Sequence, residues 1–114
     1  MTNKELGIVD CLCPNVILVD AYQRYKEVAE QTDAHVFVVF TEQGELMGLV
    51  TERQAALFPN RIFADLLLRR QPPPVDNSVP ILSTLTRMEQ DSVNHLLVVA
   101  GKGQYVGIVS RLSI

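Results

Sequence analysis

Positive charge is in short supply. Ten Lys and Arg stand against thirteen Asp and Glu, a formal charge of −3. A general grip on nucleic acid needs a basic surplus, so that class of partner is excluded. Long apolar runs are also missing, and none approaches the roughly twenty residues that span a bilayer. The opening MTNKELGIVD lacks the basic end and long apolar core of a signal peptide. The chain therefore reads as cytoplasmic and soluble, with no membrane contact.

Cysteine is limited to Cys11 and Cys13, too few for a disulfide scaffold. Two apart on a strand they share a face, but a metal site would need His35 and His95 to join them. The spacing has little specificity for zinc, and the pair reads as small, half-buried apolar residues. No Ser-His-Asp set, paired carboxylates or phosphate-cradling Gly-rich loop occurs in a catalytic spacing. Gly101-Lys102-Gly103 is flanked by strands and reads as a hairpin turn. The chain reads as no enzyme.

What is present is a globular composition, 47% apolar over 114 residues, and a duplication. VFVVFTEQGELMGLVTERQ (36–54) is an apolar run, a polar turn, a second apolar run and a helix start. HLLVVAGKGQYVGIVSRLS (95–113) repeats it. Gly44 matches Gly103, Gly48 matches Gly107 and Thr51 matches Ser110, each at an offset of fifty-nine. Units of about fifty residues are marginal alone, so the two are expected to pack as one body.

The spacing predicts an N-terminal segment over 1–14 and a first repeat over 15–60. In that repeat 15–19 reads as a strand, and Asp20 caps a helix with Tyr22, Tyr25, Val28 and Ala29 inward. Strands follow at 36–40, covered on both faces, and at 46–50, where Gly48 suggests a bulge. Thr51 then caps a short helix, 52–57. A helical and Pro-rich connector is expected over 61–74, with Ile62, Phe63, Leu66 and Leu67 as its stripe and three prolines as a stiff spacer. The second repeat, 75–114, has a strand at Val75 and a helix capped by Ser78. Its Ile81, Leu82, Leu85 and Met88 face inward, and strands run over 95–100 and 105–109. One extra residue is expected before the apolar strand of this repeat. Each repeat reads β-α-β-β-α, an α+β fold. The chain stops at Ile114, where the second closing helix is due, and reads as a piece of a longer protein.

Gly48-Leu49-Val50-Thr51-Glu52-Arg53 and Gly107-Ile108-Val109-Ser110-Arg111 resemble the Gly-hydrophobic-x-Thr/Ser motif of CBS domains, which occur as tandem pairs called Bateman modules. Phe63-Ala64-Asp65-Leu66-Leu67 and Val9-Asp10-Cys11-Leu12 resemble the lead-ins of such repeats. The resemblance implies two units about a pseudo-twofold axis, clefts between them that hold adenosine-type ligands, homodimers, and control of an attached output domain.

It also implies that the Thr or Ser hydroxyl meets phosphate or ribose and that an Asp three positions on accepts from the ribose hydroxyls. Gln54 and Ser113 stand at the Asp positions. Gln54 keeps a carbonyl acceptor but no charge, and Ser113 is shorter. The implied contacts are Thr51, Arg53, Gln54, Ser110 and Arg111, with Val16, Ile17 and Val75 lining the apolar part. Thr51 and Ser110 are equally read as helix N-caps, and Arg53 and Arg111 as solvated charges. His35 and His95, just before the central strands, read as exposed strand-edge histidines, with pH sensing the other reading. The expected function is sensing of AMP, ATP or another adenine-containing metabolite, with no obligatory cofactor. The alternative is a ligand-free dimerisation or docking scaffold.

Overall fold

The computed structural model describes residues 7–67 and 72–111, with Val9 described in its backbone alone. These form two units. Residues 15–67 make the first, and 7–14 together with 72–111 make the second.

The first unit is built on a three-stranded sheet in the order β1 (Val16–Asp20), β2 (Val36–Phe40), β3 (Leu46–Thr51). β1 pairs with β2 in parallel, and β2 with β3 antiparallel. The β2–β3 turn closes through the Thr41 N–H to the Glu45 carbonyl at 2.8 Å, with Gly44 at φ 80°, a conformation glycine adopts without steric cost. β2 is buried from Val36 to Val39, as its unbroken apolar run predicts. The register slips between Val39 and Phe40, so β3 bulges just before Gly48. The second repeat bulges at the equivalent place, opposite Val98 and Val99.

The helix expected from Asp20 does not form there. Asp20 and Gln23 close a turn instead: the Tyr22 N–H donates to Asp20 Oδ1 at 2.8 Å and the Asp20 N–H to Gln23 Oε1 at 3.0 Å. The helix, α1, spans only Tyr25–Val28 and continues as a 3-10 turn to Gln31. Tyr22 is exposed, while Tyr25 packs edge-on to Phe37 at 5.7 Å. The cause is long-range. The carbonyls of Ala21 and Gln23 accept from Ala64 and Phe63, and the extended Arg24 bridges to Ile62, so the turn at 20–23 and the residue after it are held by a segment about forty residues away.

That segment is the lead-in to the second repeat. Its helix α3 is short, Phe63–Leu66, with Ile62 and Leu67 extended at its ends. Expectations for Leu68, Arg69 and Arg70 fall outside the described residues. Phe63 and Leu66 sit in the first unit's core, with the Phe63 ring 5.1 Å from that of Phe37 and tilted 39° to it.

The second unit mirrors this with the order β4 (Val75–Asp76), β5 (His95–Ala100), β6 (Gln104–Ser110). The lead-in to the first repeat belongs here. Ile8–Cys11 forms a 3-10 turn whose Ile8 enters the core, Leu12 bridges to Val109, and the Cys13 N–H donates to Ile108 at 2.7 Å. Ile8 and Cys11 are buried at the same three-residue spacing as Phe63 and Leu66. Each core is thus completed by the segment that precedes the other repeat.

Three expectations for the second repeat change. The helix, α4 (Ile81–Gln90), starts after Pro80 rather than Ser78, because Ser78 is taken by Asp76, whose Oδ2 accepts both its N–H and its hydroxyl. Its buried residues are Thr84 and Met88, and Leu82 points to solvent at 77% exposure. The register also gives three extra residues before β5 rather than one. Val75 opposes Val98 as Val19 opposes Val39, so the first strands differ by fifty-six positions and the second by fifty-nine.

Candidate functional site

β3 runs into α2 (Glu52–Leu57) at Thr51. Thr51 Oγ1 accepts from the Gln54 N–H at 3.3 Å, and Gln54 Oε1 accepts from the Thr51 N–H at 3.1 Å and its hydroxyl at 3.3 Å. This is a reciprocal capping box, which satisfies donors that a helix start leaves unpaired. Thr51 and Gln54 are therefore brought together, but the Gln54 carbonyl is already in use.

The same turn ties three element starts together. The Glu52 N–H donates to the His35 carbonyl at 2.9 Å, and the His35 N–H to the Asn15 carbonyl at 3.0 Å. His35 Nδ1 also lies 3.0 Å from Glu52 Oε2. The second repeat copies the backbone bond: the Arg111 N–H donates to the Asn94 carbonyl at 3.1 Å. His35 thus corresponds to Asn94, and His95 to Val36.

Beside this knot the first unit opens a pocket of about 530 Å3, whose polar lining comes from Asn15, Tyr25, Thr32, Asp33, His35 and Glu52. Among the described residues no Lys or Arg lines it. Val16, Val36 and Thr51 form one row across the sheet at this end, and Ile17, Phe37 and Val50 the next. Gln54 faces elsewhere, into a cleft of about 400 Å3 with Leu57, Phe58, Arg61, Asp65 and Leu66. Arg61 lies over the Phe58 ring there at 4.8 Å, a cation–π contact.

The other expected contacts are dispersed. Arg53 is exposed on α2. Ser110 is buried opposite His95. The Arg111 side chain reaches Glu89 at 3.7 Å. Val16 and Ile17 are half-buried on β1, whereas Val75 is sunk in the second core at 3% exposure. Ser113 lies outside the described residues. Burial lowers the pKa of His95 below its ordinary 6.5. Among the described residues no group of three His, Cys, Asp or Glu is placed to hold a metal, and no helix is long and apolar enough to cross a membrane.

Residues 64–114 match the family model of the CBS domain. Over that stretch the sequence is similar to a CBS domain. Solved structures extend the likeness over nearly the whole chain. A conserved protein from Pyrococcus horikoshii superposes with a TM-score of 0.80 at 16% identity, covering 98% of this chain and 91% of that one. A CBS domain protein from Pyrobaculum aerophilum, complexed with AMP, gives 0.78 at 16% identity, covering 95% and 89%. The cytosolic domain of the Mg2+ channel MgtE, in complex with ATP, gives 0.71 at 21% identity, covering 90% of this chain and 44% of that one. At these identities the likeness shows the fold, which is that of a CBS pair. No curated protein sequence matches significantly. Against this fold, the sequence reading overlooked Asn15, Thr32, Asp33 and Glu52 as pocket residues.

Proposed function

We propose that this CBS module is regulatory rather than catalytic, and that it binds an adenine-containing nucleotide or related metabolite and passes the binding state to an attached domain in a longer protein. The observation that carries the reading is the pocket beside Asn15, His35 and Glu52. Its volume suits a small metabolite, and it adjoins the Thr51 turn on which the family resemblance rests. Asp33 and Glu52 accept hydrogen bonds from ribose hydroxyls, since a carboxylate offers only acceptors. Phosphate would lie outside, towards the exposed Arg53. A ligand that contacts one packing of the module better than another shifts that equilibrium by its differential affinity, and an attached domain reads the shift as a coupling free energy.

Calorimetric titration of the purified chain with AMP, ADP, ATP, NAD and S-adenosylmethionine tests this, with Asn15→Ala as the pocket variant. Binding by the chain that weakens in the variant supports a sensor.

A second reading is favoured by the Gln54 carbonyl being held in the capping box and by Leu57 and Phe58 being exposed beside the second cleft. The module would then be a ligand-free homodimerisation or docking scaffold. No heat with any of these ligands, together with a stable dimer in sedimentation, would decide for it.

A further inference from the structure

The three inserted residues in the second repeat have a counterpart at its first strand. Val75 takes the place of Val19, so Pro72, Pro73 and Pro74 occupy the positions of Val16, Ile17 and Leu18. In the first repeat those positions pair along β2, giving a strand of five residues. In the second, pairing is limited to Val75 with Val98 and Asp76 with Val99. Proline has no N–H to donate, so a run of three cannot complete a strand ladder. Its exposed carbonyls stay open to donors from water or a side chain.

Arg87 supplies them. It projects from α4 with its side chain 27% exposed. Nη1 donates to the Pro74 carbonyl at 3.4 Å and Nη2 to the Pro73 carbonyl, while Nε faces Asp91 Oδ2 at 3.5 Å. The planar guanidinium directs its donors as a fixed fork, and Asp91, one helical turn on, holds the fork in place. We infer that Arg87 is a latch: it replaces the lost strand pairing and fixes the proline spacer against α4, so that the two-residue β4 stays on the sheet. The consequence is positional. The spacer is the segment by which the chain returns from the first unit to the second, and its seat on the second unit depends on one side chain rather than on a ladder. This holds whether or not the module binds a nucleotide.

Hydrogen exchange on the whole chain tests the latch. The reporter is the Asn77 amide, which donates to the Val99 carbonyl at 2.8 Å just past β4. In Arg87→Ala, exchange at Asn77 and Val75 is expected to quicken by about ten-fold or more, the scale a charge-assisted hydrogen bond supports. Exchange at Leu97 and Val109 is expected to stay as in the parent. Arg87→Lys, which keeps the charge and loses the fork, should fall between, and it carries the same comparison if the alanine variant does not fold. Asp91→Asn should quicken Asn77 more modestly. Unchanged exchange at Asn77, or an equal rise at Leu97 and Val109, would overturn the latch.

Discussion

Replacing Gly107 by alanine should change sign with the residue at position 12. A Cβ at Gly107 would lie 2.8 Å from Leu12 Cδ1, 2.9 Å from Cδ2 and 3.3 Å from Cγ. Leu12 is packed against the core of the second unit and bridged to Val109, so it yields only by giving up contacts. Overpacking of this kind costs about 1–3 kcal/mol. Against it stands the backbone entropy that alanine saves over glycine in a strand, about 0.5–1 kcal/mol. Gly107→Ala alone should therefore destabilise by about 1 kcal/mol, some 4 °C or more in Tm for a domain of this size. In a Leu12→Ala background the obstructing atoms are gone and only the entropic gain remains, so the same change should stabilise. Urea unfolding of the four proteins in the cycle reads the coupling directly. Equal effects of Gly107→Ala in both backgrounds would refute the docking of residues 12–13 on β6 as the source of the constraint.

Two further outcomes are expected. Phe63→Ala, which removes a fully buried ring in contact with Phe37, should cost about 3–5 kcal/mol; a loss below about 1 kcal/mol in chemical denaturation would mean that the lead-in is not part of the first core. His95 has a folded pKa held below its ordinary 6.5 by burial, so between the two values the unfolded chain binds more protons than the folded one. Stability should be full above pH 6.5 and decline as the pH falls below it, and His95→Gln should flatten that slope in melts recorded from pH 7.5 to 5.

The elements legible in the sequence are those whose order comes from neighbours in the chain. The apolar run 36–40, the turn at Gly44, the bulge at Gly48 and the Thr51 cap each follow from a few adjacent residues, and all are present. Those that misled depend on distant partners. Asp20 followed by Gln23 looks like a capping box, and its hydrogen bonds do form, but residues 62–64 claim the backbone just after it. Ser78 looks like a cap until Asp76 takes its hydroxyl. The prolines looked like a spacer and nothing more; only the sheet register shows that they sit where a strand belongs. At the candidate site, the Thr51–Gln54 contact was readable because it is local. The pocket was not, because Asn15, His35 and Glu52 meet through the order of strands in a sheet.

The exchange of lead-ins has a consequence for how such a chain arises. A single copy, one lead-in followed by one repeat, leaves its own core short of two buried side chains while carrying two that fit the core of another copy. Two such copies would complete their cores by exchanging lead-ins. Joining the copies head to tail turns that pair into one polypeptide and removes its dependence on concentration. It also means that neither repeat can be cut out between its own first and last strands: a piece spanning 15–60 would lack Phe63 and Leu66, and one spanning 75–114 would lack Ile8 and Cys11.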